Sequence, residues 1–273
     1  LPPLPTVMQD DIRFYLGAGV HAVQALMTGH YPWINPQINA WLFARFAWDP
    51  EQDTDALLAD FCGTVFATDD PALPAYYRTL ERAFRLALDL HPDQIKLEFD
   101  FNQLWHNPPA DMGDPIFAPP EVLRAKVKAN AAIEELLVQA RQNLHNAKGS
   151  ANPSAWQAEA DVFSLYEAWL RFDLARLRLY DALAHPPIKA LARQWLRSAE
   201  EAYQDTFSWA KRYLPDKRFR ANFIFSMRIF WGLRLGYIRA AHFTPKGFGG
   251  LRKAGLLAKF LLMYLRLRNM YDR

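Results

Sequence analysis

Cysteine is almost missing from this chain: Cys62 is the only one in 273 residues. That excludes an intrachain disulfide and any thiolate cluster for zinc or iron–sulfur. Cys62 itself falls in the apolar pattern of LLADFCGTVF and reads as a core thiol. Histidine is sparse, with seven scattered residues and no pair at i, i+4, so a helix-borne metal site is not expected. No G-x-S-x-G passage occurs, and no glycine-rich loop that would cradle a phosphate. Apolar runs stay short of the roughly 20 residues that a membrane-spanning helix needs. No secretory leader opens the chain and Leu1 is not an initiator methionine. The expectation is a processed start or a piece of a longer protein.

What is present is a globular composition. Hydrophobic residues make up 51% and charged residues 22%, which suits a packed core in one large domain or two smaller ones. The chain holds 9 Trp, 19 Phe and 11 Tyr, enough for an aromatic core and also for stacking against sugar rings. The net charge is only +3, yet it is unevenly spread. Residues 186–273 carry 18 Lys/Arg against 5 Asp/Glu, and the first 185 residues carry 14 against 24. Attraction between the halves, or packing against an acidic domain, explains this asymmetry. A surface for an anionic polymer or a membrane is the sharper alternative.

Punctuation by proline, aspartate and asparagine sets the expected elements. Thr6 is placed to cap a helix over VMQDDIRFYLGAG, with Gly17 and Gly19 ending it. The β-branched run VHAVQALM, residues 20–27, is the best strand candidate. Asn35-Pro36 opens a helix that Asp49-Pro50 stops, and Asp53 or Thr54 caps the next. Asp70-Pro71 opens PALPAYYRTLERAFRLALDL. Residues 93–120 break the pattern, with IKLEFDF alternating like a short strand before a proline-rich loop. Long helices are expected from Pro119/Pro120, from Asn152-Pro153 and from residue 188 to Pro215. KRFRANFIFSMRIFWGLRLGYIRAAHF reads as one further helix, and LRKAGLLAKFLLMYLRLRNMY as a last, basic one. The expected fold class is mainly α: a helical bundle over 34–273, with 93–120 irregular, preceded over 1–33 by a short α/β remnant resembling the end of a barrel.

The passage NAWLFARFAWDPEQDTDALLADF carries a family resemblance. Together with its flanks from Asp10 to Phe84, it resembles the helical C-terminal domain of large glycoside-hydrolase-like proteins related to the α-glucuronidases. Where members of that family carry Tyr-Gly after the D-F helix, this chain has Val65-Phe66-Ala67. The resemblance implies the C-terminal structural and cleft-shaping region of a protein acting on polysaccharide. It also implies an upstream barrel holding the main catalytic carboxylates, and a periplasmic or extracellular location.

Barrel chemistry sits at the C-terminal ends of strands. If residues 20–27 were the last strand, Gln24, Thr28, His30, Tyr31 and Trp33 would face the site, with Asn35 and Asn39 on the next helix. Amides and imidazole bond sugar hydroxyls, and an aromatic face stacks on the ring. The same residues serve equally as core, loop and cap. For catalysis, Asp10 and Asp11 diverge by about 100° on a helix, and Asp49 precedes a proline as an ordinary turn residue. Glu98 and Asp100 would share a strand face roughly 7 Å apart, as charges on any edge strand do. No catalytic residue is assigned, and no metal or cofactor is expected. The Asp10-Asp11 pair lacks the D-D-x-x-D pattern and the second acidic motif of an isoprenoid synthase. GFGG at 247–250 reads as a hinge or helix cap.

A non-enzymatic alternative rests on the basic half. Arg252, Lys253, Lys259, Arg266 and Arg268 interleave with apolar residues as on an interfacial helix. Arg218, Arg220, Arg228, Arg234 and Arg239 would extend that face toward a membrane surface, an anionic polymer or a protein partner. No specific nucleic-acid motif is present to make that polymer a nucleic acid.

Overall fold

The computed structural model describes residues 2–23, 36–90, 120–149, 151–183 and 188–245, with a few isolated positions between 248 and 262. These residues are mainly helical. The helices are α1 (Pro5–Gly17), α2 (Pro36–Trp48), α3 (Thr54–Phe66), α4 (Ala72–Leu90), α5 (Pro120–Asn146), α6 (Pro153–Leu183), α7 (Lys189–Tyr213), α8 (Lys217–Met227) and α9 (Leu233–His242). A 3-10 turn at Ala147–Gly149 comes after α5, and a π turn at Arg228–Gly232 joins α8 to α9. The chain divides into two compact units, Leu1–Ala87 with Ala131–Tyr166, and Leu88–Asn130 with Glu167–Arg273.

The α/β remnant is not visible: no strand occurs among the described residues. Residues 20–23 of the expected strand are irregular, and 24–27 lie outside the described residues, as do IKLEFDF and most of the basic tail. The local cause is a helix stop. Gly19 takes φ +80, its amide donates to the Leu16 carbonyl at 3.0 Å, and the Val20 amide donates to the Tyr15 carbonyl at 2.9 Å. That pair of bonds is a Schellman motif, which consumes Val20 as helix cap. Gly17, expected with Gly19 to end the helix, is the last residue of α1.

Other boundaries obey the punctuation. α2 begins at Pro36 and ends at Trp48. Asp53 caps α3 by accepting the Asp55 amide at 3.0 Å, and Asp70 accepts the Ala72 amide at 2.8 Å. Asp216 caps α8, accepting the Phe219 amide at 2.7 Å. The single helix expected over 217–243 is instead interrupted by the π turn.

Thr6 does not cap α1 as expected. The N-cap position is Leu4, which offers no side-chain acceptor. Glu81 of α4 supplies it from across the unit and is only 3% exposed. The Thr6 and Val7 amides donate to Glu81 Oε1 at 2.7 and 3.3 Å, and the Thr6 hydroxyl donates to Oε2 at 3.0 Å. Arg78 adds charge compensation, with Nη1 at 3.5 Å from Glu81 Oε2. A buried carboxylate thus meets the positive end of a helix and a guanidinium together.

The first unit's core is aromatic. Phe61 packs edge-on against Trp41, Phe66 and Tyr77 at 6.0–6.2 Å between ring centroids. Burial of α4 recurs at helical spacing through Tyr76, Tyr77, Leu80, Phe84 and Ala87. The Tyr76 hydroxyl donates to Glu159 at 2.9 Å. Burial, reinforced by that carboxylate, pushes the Tyr76 and Tyr166 hydroxyls well above their ordinary range. The same two causes push the Cys62 thiol up to about 12, so it stays protonated near neutral pH as a core thiol.

In the second unit the core gathers Phe172, Leu179, Leu196, Trp231, Leu235 and Ile238 with small alanines between them. Trp231, inside the π turn, stacks on Phe172 at 4.1 Å with rings 5° from parallel.

Glu81→Ala strands the α1 amides, and it lowers unfolding free energy by about 3 kcal/mol; Glu81→Gln, keeping one acceptor, costs less. Chemical denaturation measures both. Ala67 holds φ 52 and ψ 47, a left-handed cap that L side chains resist. Ala67→Gly raises stability by about 0.5–1 kcal/mol once the added freedom of the unfolded chain is subtracted. A lower urea midpoint for this variant refutes that account.

Candidate functional site

Five of the six residues assigned to sugar contact, Gln24, His30, Tyr31, Trp33 and Asn35, lie outside the described residues, as does Thr28. Asn39 is half-buried on α2, and its Nδ2 donates to the Pro2 carbonyl at 3.4 Å. That bond ties the N-terminal segment to α2. Among the other candidates, Asp10 and Asp11 are exposed on α1, while Glu98 and Asp100 lie outside the described residues.

The W-D-P passage is fully accounted for structurally. Asp49 Oδ1 accepts the Glu51 amide at 2.9 Å, forming the turn after α2. Gln52 Nε2 donates to the Arg45 and Asp49 carbonyls at 2.8 and 3.1 Å, which closes the end of α2. Gln9 holds the same turn from α1: Nε2 donates to the Pro50 and Gln52 carbonyls at 2.7 and 2.9 Å, and Oε1 accepts the Thr54 hydroxyl at 2.8 Å. The remaining acids pair with arginines: Glu51 with Arg13 at 2.7 Å, Asp55 with Arg78 at 2.6 Å and Asp60 with Arg45 at 2.7 Å. These exposed pairs each contribute little, but they leave no carboxylate of the passage aimed at a cleft.

One side chain of the passage does face outward. Trp48, at the last position of α2, is 90% exposed. Tryptophan is highly buried on average, and this one stands at a helix end beside the turn that Gln52 and Gln9 close. The far end of α1 also presents Phe14 at 71% and Leu16 at 49% exposure.

A second feature belongs to the other unit. A groove of about 590 Å³ opens between α7 and the π turn with α9. Arg197, Glu200, Glu201 and Gln204 recur along one face of α7 at i, i+3, i+4 and i+7, opposite Gly232, Leu235, Gly236 and Arg239 at the same spacing. A Cβ at Gly232 would overlap the Tyr203 hydroxyl, so any other residue there forces the Tyr203 side chain to shift. Burial pushes that hydroxyl up to about 12, with nearby Arg228 pulling the other way. Arg239 Nη2 donates to Glu200 Oε1, and Asp205 pairs with Arg171 at 3.3 Å. Burial raises the Glu200 carboxyl above its usual 4.5, and the Arg239 guanidinium opposes the rise.

Sequence reading missed this groove because it treated 217–243 as one helix. The available signal was the Gly232/Gly236 spacing facing a polar face of α7. Exposure of Trp48 left no signal in the sequence, since an outward and an inward tryptophan spell the same. No group of three or more potential metal ligands occurs among the described residues, and none of their helices is long and apolar enough to cross a membrane.

The groove's electrostatics carry a signed outcome. A carboxyl whose folded pKa lies above its unfolded one binds protons more readily in the folded state, so this site favours folding more as pH falls through that window. Observed by carboxyl NMR, Glu200 titrates above 4.5, and Arg239→Ala moves its midpoint further up. A midpoint at or below 4.5, or a downward move in the variant, contradicts the assigned causes.

Compared with protein-family models, with curated proteins and with solved structures, the chain matches none.

Proposed function

We propose that this chain is the helical C-terminal region of a glycoside-hydrolase-like protein acting on polysaccharide, and that it serves there as scaffold and sugar-facing wall. Bond cleavage then belongs to carboxylates of an upstream barrel. The reading rests on the resemblance of the passage 39–61, and the observation that carries it is the exposed Trp48 within that passage. An exposed indole at a helix end offers a flat apolar face with a polar N–H edge, which suits the C–H face of a pyranose. The acids around it are consumed by turns, caps and ion pairs, which fits support rather than proton transfer. The excess of Lys/Arg over residues 186–273 favours a uronate-bearing polymer.

The non-enzymatic alternative draws on exposed Lys211, Arg212, Lys217 and Arg218 around the α7–α8 junction. One comparison separates the two. In gels containing glucuronoxylan or pectin, the full chain is retarded and Trp48→Ala weakens that retardation roughly tenfold. Salt-sensitive binding to phosphatidylserine vesicles, with gel mobility unchanged by polysaccharide, overturns this reading in favour of the basic-face one.

A further inference from the structure

The groove between α7 and α9 carries charges of both signs and is incompletely used. Glu200 is engaged by Arg239 and Asp205 by Arg171. Arg197, Glu201 and Gln204 line the groove, are exposed, and have no hydrogen-bond or ion-pair partner among the described residues. They stand on one face of α7, with Glu201 about 6 Å and Gln204 about 10 Å along the axis from Arg197. A cation donor, an anionic acceptor and an amide that does both are thus presented in a row. Opposite them, Gly232, Leu235 and Gly236 leave a low apolar floor.

The lining carries two guanidiniums and three carboxylates, with Arg171 paired to Asp205 and Arg228 near Tyr203 from outside it, so a ligand meets charges of both signs. A purely anionic ligand meets Glu201, and a purely cationic one meets Arg197. A ligand whose groups both donate and accept, and whose skeleton has an apolar face, satisfies rim and floor together. The volume falls within the usual range for small-molecule sites. We propose that this groove binds a short saccharide through the hydroxyl-bonding row Arg197, Glu201 and Gln204. The site deepens the proposed carbohydrate function and rests on it for the origin of the ligand. Its residues lie in a different unit from Trp48.

The test is a glycan array probed with the full labelled chain, and then titration of each bound glycan. Three proteins are compared: wild type, Trp48→Ala and the double variant Glu201→Ala/Gln204→Ala. Both groove positions are exposed, so the double variant keeps the fold, checked by its melting curve. The expected result is at least one glycan held by wild type and Trp48→Ala that the double variant binds roughly tenfold more weakly. Glu201→Gln, which keeps an acceptor, retains most of that affinity. Binding lost only with Trp48→Ala removes the groove proposal and leaves the proposed function standing. An array with no bound glycan, or glycans bound equally by the double variant, overturns the groove site, while the gel experiment separately decides the broader function.

Discussion

Much of the first unit depends on Glu81. An N-terminus with no capping side chain of its own carries orphan amides and a partial positive charge. Glu81 meets both from α4, with Arg78 beside it. This long-range cap fixes where α1 starts, and hence its register against α4. The register sets Gln9 beneath the turn at 50–52, where its amide bonds two carbonyls and its oxygen takes the Thr54 hydroxyl. That turn closes α2 and positions Trp48. The backbone from which the exposed Trp48 projects is therefore tied into a set of hydrogen bonds that begins more than thirty residues later, at a buried glutamate.

The second unit solves a different register problem with a widened helical turn. Without it, α8 and α9 would run as one helix with a continuous phase. The extra residue of the π turn rotates α9 relative to α8, which lets Trp231 lie flat on Phe172 while Gly232 passes under the Tyr203 hydroxyl. Close approach at Gly232 brings α9 near α7, and Gly236 one turn later keeps the groove floor low. Placement of a large aromatic in the core and opening of a polar groove beside it thus come from one local irregularity.

Helix ends were legible where a short polar residue and a proline share a boundary. Asp49-Pro50, Asp53, Asp70-Pro71 and Asn152-Pro153 all mark real ends, because each supplies an acceptor or removes a donor at a place where the ladder must stop. The start of α1 was not legible, since its cap comes from position 81. The strand expected over 20–27 is not visible in its described part, residues 20–23, for a related reason: a β-branched residue after glycine looks like strand entry, but Val20 here closes a helix through its amide. A π turn leaves almost no compositional trace. The sugar-contact residues mostly lie outside the described part, and Asn39 is occupied by the Pro2 carbonyl.

Acid chemistry needs a carboxyl that is both perturbed and reachable, and among the described residues those conditions rarely meet. Glu81 and Glu159 are buried, but each is spent on internal donors. The acids of the W-D-P passage are reachable, but turns and arginines hold them. Burial moves Cys62, Tyr76 and Tyr166 further from ionisation, which disables them as nucleophiles or bases. Glu200 combines a raised pKa with access to a groove, yet it is engaged by Arg239, and its neighbours Glu201 and Asp205 project from the same helix. Glycosidic cleavage needs two carboxyls flanking the bond from opposite sides. Side chains on one helix face approach a ligand from one side only, so Glu200, Glu201 and Asp205 do not form such a flanking pair among themselves.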